Sequence, residues 1–190
     1  MLRRFASTES AVAAELLHAG GVMAYPTEAV FGLGCDPRDR VAFERLFALK
    51  QRPATQGVLL IAADFDQVER YIELAAVPGE ILQQVRAGWP GPNTWIFPRS
   101  AAVPAWIAGA HAGIALRVTA HEPAAALCRA FGGALVSTSA NPHAQPPARS
   151  AQTVVDYFGD ALDGLLDAPL GGQVSPTTIR DALSGAIIRA

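Results

Sequence analysis

The stretch Ala134-Leu135-Val136-Ser137-Thr138-Ser139-Ala140-Asn141-Pro142 decides the fold, because a short apolar run passes directly into a row of hydroxyls and an amide. The apolar part favours a buried strand, and Pro142 disfavours helix at the residue before it. At the carboxyl end of a buried strand, such side chains point into the crevice where open α/β sheets bind ligands. A turn rich in Ser and Thr, which satisfies its own backbone, is the alternative. This stretch alone does not separate the two.

A second stretch, Lys50-Gln51-Arg52-Pro53, follows a predicted helix and favours the ligand crevice. Lys50 is the only lysine, so the other 14 of the 15 basic residues are arginines. Because ammonium and guanidinium differ in geometry and hydration, the single lysine is one indication of a site that needs a compact cation. Two alternatives stay open: the lysine lies there by chance, or the helix macrodipole favours cations at this end without any ligand.

Length and composition favour one domain, residues 1–190, with a substantial core. Hydrophobic residues make up 51% of the chain, yet no window approaches the roughly 18 apolar residues of a membrane span. Polar residues near the start interrupt any signal-peptide core, and Cys35 and Cys128 form no metal-binding motif. We therefore expect a cytoplasmic protein with reduced thiols and no membrane contact. The formal net charge of −2 argues against nucleic-acid binding through bulk electrostatics.

Helical and strand patterns alternate along the chain, which predicts an α/β fold with a mixed sheet flanked by helices. End signals predict helices over residues 10–19, 65–73, 78–87, 122–131 and 150–158, and one that enters at 36–39 and stops before Pro53. Apolar runs predict strands over 22–25, 57–63, 93–97, 113–118, 134–136, 164–166, 177–181 and 186–189. Residues 29–36, with Gly32 and Gly34, are predicted as a loop, or as a backbone that turns tightly or approaches a ligand closely.

The residues that carry catalytic chemistry in many enzymes are scattered here. Cys35 has no histidine at a recognisable spacing, and Ser139 with His143 in a Pro-containing turn is a poor hydrolase pattern. No group of His, Cys, Asp and Glu has metal-ligand spacing. The remaining cations and neutral donors suit the binding of an anionic substrate, a phosphate or a carboxylate. They are Thr27, Lys50, Arg52, Arg117, Ser137, Ser139, Asn141, Arg149 and Arg189.

Arg117 lies in the middle of an apolar predicted strand, and two interpretations of it stay open. The first is that the strand is a sheet edge or that the guanidinium forms an ion pair. The second is that Arg117 points into the cleft, where it binds a carboxylate or phosphate bidentately.

Several motifs, in their order along the chain, resemble those of the YrdC family. They are Tyr25-Pro26-Thr27-Glu28 with Gly32-Leu33-Gly34, Lys50-Gln51-Arg52-Pro53, Trp89-Pro90-Gly91-Pro92 with Thr94, Ala115-Leu116-Arg117, Ser137-Thr138-Ser139-Ala140-Asn141, Ser175-Pro176-Thr177-Thr178 and Ile187-Ile188-Arg189. Each motif is short, but together they cover nearly the whole chain. The resemblance implies a single YrdC-like domain, a twisted mixed sheet with a concave ligand cleft, without the extra C-terminal domain of longer members.

The resemblance also implies an activity. L-threonine, bicarbonate and ATP give L-threonylcarbamoyladenylate and pyrophosphate, the first step of the t6A37 modification of tRNA. Mg²⁺ is expected on the ATP phosphates, the product passes to the tRNA threonylcarbamoyl transferase complex, and weak tRNA binding is possible. By family pattern the site residues are Lys50, Arg52, Ser139 and Asn141 for catalysis and ATP, Gln56, Arg149 and Arg189 for ATP, and Thr27, Arg117, Ser137 and Ser175 for threonine.

The chain departs from the family pattern at two places. Gln56-Gly57 stands where many relatives carry Asn-Pro, and Ile61 stands where they carry a His in the next strand. Gln56 can replace an Asn as a hydrogen-bond donor, whereas Ile61 cannot replace a His in a threonine contact. Two rival functions stay open: an RNA-binding maturation factor without adenylate-forming activity, and carbamoyl transfer to another acceptor.

Overall fold

A ten-stranded sheet runs through the computed structural model, which describes residues 1–51, 57–175 and 177–190. In chain order the strands are β1 (Arg3–Ala6), β2 (Met23–Pro26), β3 (Phe31–Gly34), β4 (Leu59–Ala62), β5 (Asn93–Pro98), β6 (Gly113–Val118), β7 (Leu135–Ser139), β8 (Gly164–Asp167), β9 (Thr178–Asp181) and β10 (Ile187–Arg189). Across the sheet they lie in the order β1-β8-β2-β3-β7-β4-β6-β5-β9-β10. Strand β8 is parallel to β1 and β2, β6 to β4, and β9 to β5, whereas the other pairs are antiparallel. The predicted mixed α/β sheet is confirmed.

Seven α-helices within the described residues connect these strands. They are α1 (Ser10–His18), α2 (Arg40–Lys50), α3 (Asp66–Glu69), α4 (Gly79–Gly88), α5 (Ala105–Ala108), α6 (Glu122–Phe131) and α7 (Ala151–Phe158). Asp39 caps α2 by accepting hydrogen bonds from two backbone N–H groups, and the Ser150 hydroxyl caps α7 by accepting from Thr153. None of the described helices has the length and apolar character needed to cross a membrane.

The face of β7 that carries the site is divided between core and cavity. Leu135, Ser137 and Ser139 share this face, because side chains alternate along a strand. Leu135 is fully buried in an apolar cluster with Leu17 of α1 and Leu127 of α6. Ser137 and Ser139, farther along the strand, line a cavity instead. One strand therefore anchors the core at its start and presents hydroxyls at its end.

The eight predicted strands are confirmed, and so are the helices α1, α2, α4, α6 and α7. The helix predicted over 65–73 is wrong beyond Glu69. The backbone oxygen of Tyr71 accepts a hydrogen bond from the N–H of Ser100, and the N–H of Glu73 donates to Pro98, so after one turn this segment pairs with the chain at the end of β5. Strand β1 escaped prediction because its two arginines interrupt any apolar run.

The loop predicted over residues 29–36 is also wrong, because β3 occupies its centre. Glycine is depleted in strands, which explains the error. A Cβ on Gly34 would lie 2.4 Å from the backbone oxygen of Val136 and 2.6 Å from Cε1 of Tyr25. The glycine thus allows a close approach, as the alternative interpretation held, but the neighbours are a tyrosine ring and a carbonyl of the protein itself.

Candidate active site

A cavity of about 620 Å³ lies at the end of β7, a volume typical of small-molecule sites. Its polar lining within the described residues is Thr27, Thr94, His111, Arg117, Ser137, Thr138, Ser139, Thr177 and Arg189. Its apolar lining includes Val58, Leu59, Ile96, Ile107 and Ile179. Five of the predicted site residues, Thr27, Arg117, Ser137, Ser139 and Arg189, therefore meet around one space. This geometry favours the ligand crevice over a self-satisfied turn.

Lys50 is buried at the end of α2 and binds the segment that follows the hydroxyl row. Its Nζ donates to the backbone oxygens of Ser139 and Asn141, the second at 3.0 Å. The Ser139 hydroxyl donates to Asn141 Oδ1 at 2.6 Å. Three of the four residues of the implied catalytic set thus form one network. The fourth, Arg52, and the predicted ATP residue Gln56 lie outside the described residues.

This network reaches the cavity through Ser139. Neither Lys50 nor Asn141 is among the described residues that line the cavity. The Asn141 amide instead donates to the backbone oxygens of Pro142, at 3.0 Å, and Gln145, at 2.8 Å, and so fixes the loop. Lys50 therefore acts on the cavity through the backbone of Ser139, whose side chain is part of the lining.

Arg117 forms an ion pair and also lines the cavity, so each of the two interpretations left open by the sequence is correct in part. Strand β6 lies between β4 and β5, so the sheet-edge alternative is wrong. Arg117 is only 6% exposed, and its Nη2 lies 3.5 Å from Glu28 Oε2 while its Nη1 donates to Thr177 Oγ1 at 3.2 Å. Arg117 also lines the cavity, and its Nε has no hydrogen-bond partner in the described part of the chain. A buried guanidinium with an unused N–H suits a bound carboxylate.

Thr94 and Thr177 are cavity residues to which the sequence analysis gave no role. Their hydroxyl oxygens lie 3.1 Å apart, and Thr177 is also the acceptor for Arg117. Thr94 and Ile96 lie on the same face of β5 because side chains alternate along a strand. The alternation in the sequence was therefore sufficient to place these two residues on one face. The contact between Thr94 and Thr177 could not, because it joins residues 83 positions apart.

Two of the predicted ligand residues define the rims of the cavity. The Thr27 hydroxyl donates to the backbone oxygen of Val30 at 2.7 Å and closes the turn between β2 and β3. Arg189, in the last strand, donates from Nη2 to the backbone oxygen of Thr177 at 3.2 Å. Both side chains therefore line the cavity, and each already donates one hydrogen bond to a backbone oxygen.

Neither Arg149 nor Ser175 is part of the described lining of the cavity. The Arg149 guanidinium donates to the backbone oxygens of Gln173 and Val174, each at 3.2 Å. It therefore holds the exposed segment that carries Ser175. In this arrangement Arg149 contacts the connection between β8 and β9, and its role toward ATP stays a prediction.

The cysteines have the properties of core residues. Burial raises the pKa of the Cys35 thiol far above its usual range and that of Cys128 to about 12, which disfavours the reactive thiolate. Neither thiol is part of the described cavity lining. Within residues 1–51, 57–175 and 177–190, no group of three or more His, Cys, Asp or Glu could hold a metal ion.

Ile61, which replaces a family His, is fully buried. It packs in the apolar cluster with Tyr25, Cys128 and Leu135, and it is not among the described cavity residues. Its register partner on β6 is Arg117, so the two residues lie side by side on neighbouring strands. Position 61 is therefore a core position next to Arg117 in this chain, and its isoleucine side chain offers no polar contact to a ligand.

Comparisons with known proteins match nearly the whole chain. The model of the Sua5/YciO/YrdC family, described as "Telomere recombination", matches residues 15–190. A protein of Halorhodospira halophila named threonylcarbamoyl-AMP synthase is 56% identical over 177 residues, which cover 93% of this chain and 92% of that protein. One of the same name from Stenotrophomonas maltophilia is 50% identical over 182 residues, covering 96% and 97%.

A solved structure shows the same fold with an amino acid bound. P. abyssi Sua5 complexed with L-threonine superposes with a TM-score of 0.87 at 29% identity. The match covers 95% of this chain and 54% of the Sua5 chain, so this chain spans about half of that protein.

Proposed function

The chain belongs to the Sua5/YciO/YrdC family, and from this membership we propose that it catalyses the synthesis of threonylcarbamoyl-AMP. The curated relatives above carry that name and match over more than nine-tenths of their length. The reaction joins L-threonine, bicarbonate and ATP into L-threonylcarbamoyladenylate and releases pyrophosphate. The enzyme is therefore a nucleotidyltransferase that supplies the adenylate for the t6A37 modification of tRNA.

The observation that carries this proposal is the position of Arg117 relative to the hydroxyl row. A buried guanidinium with an unpartnered Nε and the hydroxyls of Ser137 and Ser139 border the same cavity. In the proposed complex Arg117 binds the carboxylate of threonine, while Thr27 and Ser137 contact its polar groups, with Ser175 from the adjoining segment. A guanidinium fork fits a carboxylate better than the ammonium of a lysine does.

The proposed phosphate end of the site is the network of Lys50, Ser139 and Asn141, together with Arg52. A positive charge beside small neutral donors neutralises and orients a polyphosphate. Arg189 lines the same cavity and contacts the nucleotide, and Gln56 and Arg149 complete that contact. The Arg149 role requires its guanidinium to exchange the carbonyls of Gln173 and Val174 for the nucleotide.

The reaction forms one N–C bond and one O–P bond. Bicarbonate takes up a proton and loses water to give CO₂. The neutral amine of threonine then adds to the carbon of CO₂ and releases a proton, which gives a carbamate. A carbamate oxygen then attacks the α-phosphorus of ATP, the bond to the bridging oxygen breaks, and pyrophosphate leaves with the electron pair. The residues of the cavity contribute by aligning the carbamate with the α-phosphorus and by offsetting the negative charge that develops there.

Magnesium enters this scheme only with the nucleotide. The described cavity offers hydroxyls and guanidinium groups, which are not the oxygen-anion ligands that Mg²⁺ prefers. The described residues therefore do not fit a magnesium site held by the protein. Phosphate oxygens of ATP supply the ligands in the proposed complex.

We further propose that residues 1–190 act as one catalytic domain in the cytoplasm. The family match over residues 15–190 and the continuous sheet support this organisation. The product passes to a tRNA threonylcarbamoyl transferase complex, and any binding of tRNA to the chain itself is weak, in keeping with the net charge of −2.

Mass spectrometry of the product tests the proposed function. With ATP, L-threonine and ¹³C-bicarbonate, the expected product contains AMP, threonine and one labelled carbon, and it is absent without threonine. No labelled adenylate with any amino acid, together with tight and salt-sensitive tRNA binding, would favour the RNA-binding rival. A labelled carbamoyl product without threonine would favour transfer to another acceptor.

A further inference from the structure

Glu28 is a buried carboxylate next to the proposed threonine site, and the reaction described above gives it no role. It follows Thr27 in the turn between β2 and β3 and is only 6% exposed. Burial of a carboxylate is unfavourable unless the group is paired and hydrogen-bonded. The contacts that offset this cost therefore indicate what the carboxylate does.

Both oxygens of Glu28 face the end of strand β6. Its Oε1 accepts a hydrogen bond from Thr119 Oγ1 at 2.6 Å, and its Oε2 lies 3.5 Å from Arg117 Nη2. Thr119 Oγ1 in turn accepts from the backbone N–H of His121 at 3.1 Å, so its own proton is directed to Glu28. Because Thr119 is 1% exposed, water does not compete for this hydroxyl. Thr119 thus fixes the orientation of the carboxylate.

The carboxylate in turn constrains Arg117. One side of the guanidinium faces Glu28 through Nη2, and Nη1 donates to Thr177 Oγ1 at 3.2 Å. The hydrogen bond at Nη1 and the attraction of the carboxylate at Nη2 both restrict rotation of the planar group, although Glu28 Oε2 itself accepts no hydrogen bond within the described residues. The Nε is buried and also has no partner in the described part of the chain. Bidentate binding of a carboxylate depends on the orientation of this plane.

We propose that Glu28, oriented by Thr119, is a positioning residue for the amino-acid substrate: it holds the Arg117 guanidinium in the orientation that binds the carboxylate. This inference rests on the proposed function, in which Arg117 binds threonine. Glu28 is not part of the described cavity lining, so it acts through Arg117 and does not touch the substrate. A role limited to charge neutralisation predicts the opposite sign, because loss of the anion would then strengthen carboxylate binding.

Three variants test the proposal by steady-state kinetics. Glu28→Gln is expected to raise the KM for threonine about tenfold, and Thr119→Val, which keeps the volume but removes the hydroxyl, about threefold. Thr119→Ser keeps the hydroxyl and is expected to restore the KM to within about twofold of wild type. The KM for ATP and kcat at saturating threonine change by less than about twofold in all three. The double variant Glu28→Gln/Thr119→Val is expected to resemble Glu28→Gln, because the two residues act as a unit.

Asp36→Asn is the matched control. Asp36 is a buried carboxylate that lies 2.8 Å from Arg38 and is not part of the described cavity lining. Its substitution is expected to lower the Tm without a change in the KM for threonine. If a general loss of packing were enough to raise the KM for threonine, Asp36→Asn would change this KM as well as the Tm. If Glu28→Gln does not fold, the KM for threonine of Thr119→Val tests the positioning role instead.

Calorimetric titration of threonine without ATP separates this inference from the proposed function. Wild-type protein that binds threonine but forms no adenylate contradicts the proposed function alone, and weaker binding by the variants then still supports the positioning role. Variants that bind threonine as tightly as wild type, or more tightly, overturn the positioning role alone. Wild-type protein that neither binds threonine nor forms adenylate overturns both.

Discussion

The Lys50 ammonium lies 3.0 Å from the backbone oxygen of Asn141, a residue 91 positions later in the chain. This contact joins the end of α2 to the segment that follows β7. It places the positive charge of the only lysine beside the hydroxyl row without exposing it, since Lys50 is 4% exposed. The proposed phosphate end of the site therefore depends on the loop geometry as much as on the charge.

Replacement of Lys50 is expected to abolish most of the activity. Lys50→Ala removes the charge and the anchor of the loop, so kcat/KM for ATP should fall by about 100-fold or more. Lys50→Arg should not rescue it, because the larger planar group does not fit a buried site built for an ammonium. The measurement is pyrophosphate release at varied ATP. Arg40→Ala, at an exposed pair with Glu44, serves as a control and should stay near wild type.

Arg117 is expected to govern threonine rather than ATP. Arg117→Lys keeps a charge against Glu28 but loses the fork, so the KM for threonine should rise about 100-fold with little change in the KM for ATP. Arg117→Ala leaves a buried carboxylate without its cation and should destabilise the fold by about 3–5 kcal/mol, measured by urea unfolding. If the KM for threonine were unchanged in Arg117→Lys, the carboxylate of threonine would have to bind to a residue other than Arg117.

Gly34 tests the close approach that permits β3. Gly34→Ala forces a Cβ to within 2.4 Å of the Val136 carbonyl and should destabilise the protein by about 1–3 kcal/mol. Gly79→Ala is the matched control, because nothing lies within 4 Å of its Cβ position, and it should be neutral or stabilising by up to about 1 kcal/mol. Equal free energies of unfolding for the two variants would show that β3 shifts to accommodate the added Cβ without a loss of stability.

The pH dependence of stability is expected to report on His121. Burial lowers the pKa of His121 below its ordinary value, and this effect exceeds the opposite one of Glu28. His121 therefore takes up a proton at a higher pH in the unfolded chain than in the folded one. The free energy of unfolding that depends on neutral His121 is fully present above pH 6.5, and it is lost as the pH falls through the pKa of His121 in the folded protein. Urea unfolding at stepwise lower pH should show a shallower loss in His121→Gln than in wild type.

The sequence and the structure agree where the pattern is local. The apolar run before Ser137, the helix that ends at Lys50 and the apolar strand around Arg117 were predictable, because each depends on neighbouring residues. Strand β3 was not, because Gly34 suits a contact with Tyr25 that no local pattern contains. The roles of Glu28 and Thr177 were not predictable either, since both depend on contacts with β6 that join residues far apart in the chain.

Pyrophosphate release from ATP and bicarbonate, compared with threonine, with serine and with no amino acid, is the most direct test of the proposed activity. We expect release that depends on threonine and that collapses in Lys50→Ala and in Arg117→Ala, while Arg40→Ala keeps the wild-type rate. Release at the same rate without an amino acid, or none under any condition from folded protein, would contradict the proposed adenylate-forming reaction.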